Sequence, residues 1–335
     1  MSIVAKVPTL RHNALVPGRF ASIGFDFEDD SELQKFVRRG MREGDQIEVI
    51  GAEPGWGGKY VCWNAGSGVQ LWMSVNEKGG ISSVDAHYAG RGRAFISLER
   101  SYDYDTAPPT GGVVAWVSPG TEEETKAGFD LPGYARFYDL ACDYDGNALV
   151  QVTAFTQAAT VFDDEQALAD ALHAVDPDMN LAAESLLPIG ILHDDPATPL
   201  CAARLSGIVL EFDTVENPAT KQRFHTALVK TCGMTVDLVA SDEQLAGELA
   251  VGKLVAGTVI LSAIPAAGPK KIQTAGPATI TITKVDDEES EAQITVGGTP
   301  QITVGSDPII IDDEEPAEPT ITIFTEASDD DTEPA

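Results

Sequence analysis

The sequence is short of basic residues. It contains 22 Lys and Arg against 53 Asp and Glu in 335 residues, a formal net charge of −31. A surface this negative repels phosphate backbones and anionic lipids, so generic nucleic-acid and membrane-surface binding are disfavoured. The shortage is greatest at the C-terminus. Residues 285–335 hold 16 acidic residues and no Lys or Arg, which leaves −15 for the other 284 residues.

Cysteine and histidine are also scarce. The four cysteines contain no C-x-x-C pair, which excludes a zinc ribbon and a thioredoxin-type motif. Four scattered thiols in a chain of this length indicate reduced core residues. The five histidines include no two at metal-ligand spacing, and we predict no metal site and no cofactor. The cysteines are Cys62, Cys142, Cys201 and Cys232.

Long apolar segments are missing as well. The first 20 residues have no apolar stretch of the kind found in signal peptides. The longest largely apolar run, Leu254–Ile264, ends at Pro265 and is too short to span a bilayer. The sequence therefore predicts a soluble, cytoplasmic protein.

What is present is mostly a β pattern. Residues 17–160 consist of short alternating runs that are separated by Gly-rich turns, which is typical of strands. Three segments begin with a capping residue followed three positions later by Gln, which predicts helices. They start at Ser31, Asp163 and Ser241. We predict an α+β fold, mostly β, with a β-rich N-terminal domain over residues 1–195.

Residues 199–267 show three strands, a short helix and a further strand segment. This order resembles the OB-fold barrel, whose long first strand bends at a glycine such as Gly207. Acidic residues outnumber basic ones here, which favours protein binding or a structural role over nucleic-acid binding. The interpretation requires Lys253–Ile264 to supply two strands. If it forms one, a split SH3-like or sandwich module is equally expected.

Residues 269–335 are predicted to be a disordered acidic tail. The tail contains two octapeptides in tandem, Gln293–Pro300 and Gln301–Pro308, and each begins with Gln-Ile-Thr-Val-Gly. Identical β-prone segments in a flexible chain suit strand addition to a protein partner. Related β-prone segments flank the repeat at Ala278–Thr283, Ile309–Ile311 and Thr320–Phe324, and we expect the acidic spacers to keep all of these segments from pairing with one another. The predicted partner-binding residues are Ile294, Val296, Gly297, Ile302, Val304 and Gly305.

The N-terminal domain offers a candidate ligand cleft. All four tryptophans lie in the first 116 residues, and Trp56 sits between glycines, an unusual place for a structural tryptophan. His87, Tyr88 and Arg91 share the same β-rich region, so these four residues could line a cleft. Trp63, Trp72 and Trp116 are predicted to fill the core.

A basic helix face is predicted at Lys35, Arg38, Arg39 and Arg42. Acidic residues precede and follow this segment. Charge balancing within the molecule is therefore the favoured interpretation, with anion binding second.

The preferred function is a non-catalytic binding or assembly protein whose tail docks a protein partner. One alternative is an enzyme with its site in the Trp-rich N-terminal domain, although no catalytic constellation is visible in the sequence. Another is an acidic inhibitor that mimics nucleic acid, which would need its carboxylates on a rigid surface. A salt-adapted proteome would explain the −15 of residues 1–284 without any function.

Overall fold

The structure, a computed structural model, describes residues 18–27, 30–49, 58–104, 106, 108–134, 146–175, 181–192, 198–266, 280–282 and 294–296. The chain divides into two compact units, residues 1–268 and residues 269–335.

The described helices of the first unit are α1 (Asp30–Glu43), α2 (Glu165–Val175) and α3 (Ile189–Leu192), and a 3-10 turn covers Ala21–Ile23. Its described strands are β1 (Asp45–Val49), β2 (Gly58–Gly66), β3 (Val69–Asn76), β4 (Ile81–Tyr88), β5 (Arg93–Tyr104), β6 (Thr110–Val117), β7 (Thr125–Leu131), β8 (Asn147–Phe162), β9 (Ser185–Leu187), β10 (Ala202–Glu216), β11 (Arg223–Thr231), β12 (Met234–Ala240), β13 (Leu245–Ala246) and β14 (Leu254–Pro265). No described helix is long and apolar enough to cross a bilayer.

A four-stranded antiparallel sheet is formed by β1, β2, β3 and β4 in that order. Helix α1 packs against β2 and β3. The helix forms because its apolar positions recur at helical spacing, which puts Leu33 and Val37 on one buried face. Its opposite face carries the four predicted basic residues, and all four are exposed.

A ring of hydrogen-bonded strands forms the centre of the ten-stranded sheet. Strand β8 pairs with β14, β14 with β10, β10 with β11, and β11 with β12, in each case antiparallel. A parallel pairing of β12 with β8, from Asp237↔Thr153 to Val239↔Phe155, closes the ring. Strands β5, β6 and β7 extend the same sheet. Strand β5 pairs with β8 and with β12, β6 lies between β5 and β7, and β7 pairs with β14.

Two hydrophobic clusters use opposite faces of the ring strands. Ala154 and Phe155 are neighbours in β8, yet Ala154 belongs to a cluster with β5–β7 and the other ring strands. Phe155 belongs to a second cluster, together with α1, the four-stranded sheet and Phe25. Period-two alternation along a strand produces this division, because successive side chains point to opposite faces. The second cluster is what attaches the small sheet to the ring.

The mostly β fold is confirmed, whereas the OB-like module is not. The segment expected to supply two strands forms the single strand β14, with one bulge between Thr258 and Val259. The ring takes its fifth strand, β8, from outside residues 199–267. The first compact unit accordingly extends across the predicted boundary at residues 195–199.

Two of the three predicted helices form, and the third does not. Helix α2 starts one residue later than expected, since the backbone N–H of Ala167 donates to Asp164 Oδ1 at 2.8 Å. After Ser241 the chain makes only one turn, and then Leu245 and Ala246 pair with β8. The Gln244 side chain does bond back to the Ser241 N–H, but it also contacts Ser22 and Gly18. Because these long-range contacts hold the Gln244 side chain, no helix forms after Ser241.

The second unit contains β15 (Ile280–Ile282) and β16 (Ile294–Val296), which pair antiparallel with Thr281 opposite Thr295. The expectation that acidic spacers keep the β-prone segments apart is therefore wrong for this pair. The rest of the predicted tail lies outside the described residues.

Candidate functional site

His87 lies on β4 and is fully buried. Its Nε2 lies 2.6 Å from Gln151 Oε1, and its Nδ1 lies 3.1 Å from Ser262 Oγ. Because Gln151 Nε2 donates to Asp237 Oδ2 at 2.8 Å, the Gln151 Oε1 atom must be the acceptor toward histidine. We therefore assign the proton to Nε2, and Nδ1 accepts from the Ser262 hydroxyl.

The imidazole of His87 is neutral at physiological pH. Burial lowers its pKa to about 3, with the positive charge of Arg19 acting in the same direction. The hydrogen bond to Gln151 opposes this shift but does not overcome it. A neutral ring that is bonded at both nitrogens cannot exchange a proton with a bound molecule unless one of these bonds breaks.

Asp237 holds the turn between β4 and β5. Its Oδ1 accepts from the Arg91 N–H at 2.9 Å and its Oδ2 from the Gly92 N–H at 2.7 Å. A Cβ on Gly92 would lie 2.6 Å from the Asp237 backbone nitrogen, so the approach requires glycine. Burial raises the pKa of Asp237 above its usual value, although the two backbone donors and Gln151 act against that shift.

The predicted cleft residues are connected but do not share one surface. Tyr88 is half-buried and meets Phe224 edge to face at 6.0 Å between ring centroids. Arg91 is exposed and forms an ion pair with Glu211 on β10. Gln151 bonds to the buried His87 and to Asp237, and these two side chains reach the backbone oxygen of Tyr88 and the backbone N–H of Arg91 instead of their side chains. Trp56 lies outside the described residues.

The three predicted core tryptophans differ in burial. Trp63 and Trp72 are buried, as expected. Trp116 is only partly buried and has the Lys126 ammonium 4.4 Å from its ring centroid.

A buried ionic cluster around Arg19 was missed by the sequence analysis. Arg19 is 1% exposed, and its Nη1 donates to Asp130 Oδ2 at 3.0 Å. The hydroxyls of Tyr102 and Tyr104 donate to Asp130 Oδ1 at 3.0 and 3.1 Å. Asp85 Oδ1 lies 3.8 Å from the same guanidinium nitrogen, so Arg19 joins β4 of one sheet to β7 of the other.

The pKa values in this cluster follow from burial and from Asp130. Burial, the largest single effect, would lower the pKa of Arg19, but the Asp130 carboxylate together with Cys201, Asp85 and Tyr104 outweighs it, and the pKa is raised. Burial, followed by the charge of Asp130, raises the pKa of Tyr102 and of Tyr104. Arg19 therefore stays charged and both phenols stay protonated. The Nε and Nη2 atoms of Arg19 have no hydrogen-bond partner among the described residues.

A hydroxyl, an imidazole and a carboxylate meet at the surface. Thr214 Oγ1 lies 3.2 Å from His225 Nδ1, and His225 Nε2 lies 2.6 Å from Asp242 Oδ1. This is the order of a nucleophile, a base and an orienting acid. However, Thr214 stands directly opposite His225 in the β10–β11 register, so cross-strand pairing accounts for their contact.

The predicted partner-binding residues are only partly described. Ile294 and Val296 lie in β16, at the ends of the three-residue strand. Gly297, Ile302, Val304 and Gly305 lie outside the described residues. The ladder pairs Ile294 with Ile282 and Val296 with Ile280. Ile294–Val296 of the first copy therefore adopts strand structure.

No protein-family model, no curated protein and no solved structure matches this chain. Across the described residues, no group of three His, Cys, Asp or Glu side chains could hold a metal ion.

Proposed function

We propose that this chain is a non-catalytic binding or assembly protein whose C-terminal unit docks a protein partner by strand addition. The observation that carries the proposal is the tandem repeat, whose first Ile-Thr-Val segment forms β16. A two-stranded ladder is only marginally stable alone in water, and a further strand stabilises it. A partner with an open sheet edge supplies that strand.

The spacing of the repeat sets the geometry of the partner. The two copies start eight residues apart, so corresponding atoms are separated by at most about 26–29 Å when the chain is extended. A partner that presents two strand edges within this distance can hold both copies at once. Two linked sites raise the apparent affinity by about 10²–10⁴-fold over one.

The test replaces Ile294, Val296, Ile302 and Val304 by Ser in the full chain. Partners are captured from an extract of the source cells, identified by mass spectrometry, purified and titrated by calorimetry. We expect the quadruple variant to lose binding and a variant changed in one copy alone to bind more weakly. The matched control replaces Ile309, Ile310, Ile311 and Ile323 by Ser, which removes slightly more apolar content and leaves charge and repeats intact.

The control should bind like the unchanged chain. Binding that survives the quadruple change and instead follows the number of Asp and Glu residues would contradict docking through the repeat. The tail would then act as an electrostatic bristle.

We also propose a modified form of the OB-like interpretation. In this form, strands β10, β11, β12 and β14 keep the expected order, and β8, which runs parallel to β12, stands in for the fifth strand. We also propose a cytoplasmic location, where the thiols of Cys62, Cys201 and Cys232 stay reduced.

Each of the two alternative functions, an enzyme and a nucleic-acid mimic, has its own structural requirement. An enzyme with its site in the N-terminal domain needs a titratable group that a substrate can reach. Arg91 and Tyr88 reach the surface, whereas His87 does not. A nucleic-acid mimic needs acidic residues fixed at phosphate-like spacing, but 16 of the 53 lie in residues 285–335.

A further inference from the structure

The second half of β10 has an open edge. On the side of β14, the described pairing of β10 ends at Ile208, and Val209 then exchanges backbone hydrogen bonds with Gly252 and Lys253. On the side of β11, the pairing continues to Glu216. Residues 210–213 are all exposed, which shows that the described part of the chain leaves this stretch uncovered. We define residues 211–216 as the β10 edge.

The register of the β10–β11 ladder decides where the backbone groups of this edge point. At the hairpin end, the Asn217 N–H donates to the Gln222 carbonyl at 2.8 Å. Hydrogen-bonded and non-hydrogen-bonded pairs alternate along an antiparallel ladder. Counted from this bond, the residues of the edge that lie in non-hydrogen-bonded pairs are Phe212, Thr214 and Glu216. Their backbone N–H and C=O groups therefore point away from β11, toward the open side, where they form a template for a further strand.

One carboxylate of the β10 edge lacks a cation and holds a backbone donor instead. Asp213 Oδ1 accepts from the Thr214 N–H at 2.7 Å. The other two carboxylates of the edge form ion pairs, one with Arg91 and one with Lys221. Among the described residues, no Lys, Arg or His side chain pairs with Asp213, which is exposed. Because a rotation of this side chain frees the Thr214 N–H, the carboxylate can exchange the backbone donor for an incoming cation.

The two faces of the β10 edge differ in chemistry. Successive side chains of a strand point to opposite faces, so Phe212 and Thr214 share one face, and Glu211 and Asp213 share the other. Phe212 is 49% exposed, which leaves apolar surface beside the edge. An added strand with apolar residues on the first face and basic residues on the second matches both. A second copy of β10 does not fit, because it would bring three more carboxylates to an edge that already carries three.

We propose that the β10 edge binds an extended segment of a partner protein in which apolar and basic residues alternate. The segment adds as an antiparallel strand, with apolar side chains beside Phe212 and Thr214 and a basic side chain beside Asp213. Asp213 then pairs with this cation, and the Thr214 N–H donates to the new strand. The interaction is separate from the proposed function, because here the first unit accepts a strand, whereas there the second unit supplies one.

The probe is the peptide Lys-Val-Lys-Val-Lys-Val, with fluorescein at its N-terminus and an amide at its C-terminus. It is titrated with the full chain, and fluorescence anisotropy measures the binding. Opposite Phe212 and Thr214, the valine backbone bonds to β10, whereas the lysine N–H groups face away. N-methylation of the valines should therefore weaken binding by about tenfold or more, because several hydrogen bonds are lost. N-methylation of the lysines keeps the same charge and composition and should leave the affinity nearly unchanged.

Two substitutions test the same edge from the protein side. Thr214→Pro removes a backbone N–H that points to the open side, which an edge strand tolerates, so β10 keeps its ladder with β11. This variant should bind the peptide about tenfold more weakly or less, and circular dichroism checks that it is folded. Asp213→Asn should weaken binding several-fold. The matched variant Glu122→Gln removes one exposed charge elsewhere and should not.

Three results would overturn the proposal: no binding of the unmethylated peptide, equal binding of the two methylated peptides, or equal effects of Asp213→Asn and Glu122→Gln. Equal binding of the methylated peptides would mean that charge alone attracts the probe to a chain of net charge −31. If the Thr214→Pro chain does not fold, the two methylated peptides still decide the question on the unchanged chain.

The repeat variant separates this proposal from the proposed function. The Ser variant of Ile294, Val296, Ile302 and Val304 keeps the β10 edge and should bind the peptide like the unchanged chain. Loss of partner capture with intact peptide binding, or the reverse, shows which of the two proposals has failed.

Discussion

The guanidinium of Arg19 donates to the carboxylate of Asp130 at 3.0 Å, and the two residues are 111 positions apart in the sequence. Both side chains are at least nine-tenths buried. Asp130 also accepts from Tyr102 and Tyr104, so both of its carboxylate oxygens have hydrogen-bond partners. Because Asp85 Oδ1 lies 3.8 Å from the same guanidinium nitrogen, Arg19 links β7 of the ten-stranded sheet to β4 of the four-stranded sheet.

The first prediction removes one partner of this pair. Arg19→Met should lower the free energy of unfolding of the full chain by about 3–5 kcal/mol, because Asp130 keeps a buried charge without its cation. Arg19→Met/Asp130→Asn should recover part of that loss. Urea denaturation at neutral pH measures both values.

The control for this prediction is Arg39→Met, which breaks the exposed pair with Glu43. It should cost about 0.2–1 kcal/mol, as surface pairs do. A cost for Arg19→Met no larger than that of Arg39→Met would mean that the buried pair contributes nothing to stability.

The second prediction concerns pH and His87. Its pKa is lowered from 6.5 to about 3 on folding, so the unfolded chain binds more protons between these values. Stability is therefore fully present above pH 6.5 and is lost as the pH falls below it, by about 1.4 kcal/mol per unit. Asp237, whose pKa is raised on folding, contributes with the opposite sign above its usual value of 3.8.

His87→Gln isolates the histidine contribution. The substituted amide can still donate to Gln151 Oε1, and Asp237 is unchanged. The difference in unfolding free energy between the unchanged chain and this variant should shrink as the pH falls from 7 to 4.5. A difference for His87→Gln that stays constant over this pH range would contradict the buried neutral histidine.

Local features of the fold were predictable, and long-range ones were not. The apolar spacing after Ser31 predicted α1, because that signal lies within one helix, although the helix begins at Asp30 and Ser31 is therefore not its capping residue. Gly207 was predicted inside a long strand, and a Cβ there would meet the backbone oxygen of Lys230 on β11. The parallel pairing of β8 with β12 joins residues 84 positions apart, from Thr153 to Asp237. Such a pairing produces no periodic pattern in the sequence.

The failures have the same physical origin. Ser241 and Gln244 carry the same local signal as Ser31 and Gln34, but Gln244 is engaged by Ser22 from the other end of the unit. Arg19 follows a glycine and has no acidic residue near it in the sequence, so its buried position becomes visible only when Asp130 and Phe155 surround it. Of the candidate cleft, the sequence identified His87 and Arg91 but not Gln151 or Asp237, which connect them.

The third prediction concerns removal of the second unit. The two hydrophobic clusters are built from residues of the first unit, and its strand ring closes without residues 269–335. A chain ending at residue 268 should therefore melt within a few degrees of the full chain at the same salt concentration. Differential scanning calorimetry measures both transitions. The shortened chain also loses 16 carboxylates, so the comparison is repeated at 0.5 M salt, where the repulsion between them is screened. A cooperative loss of stability that persists at high salt would show that the second unit contributes packing, and the boundary at residue 268 would be wrong.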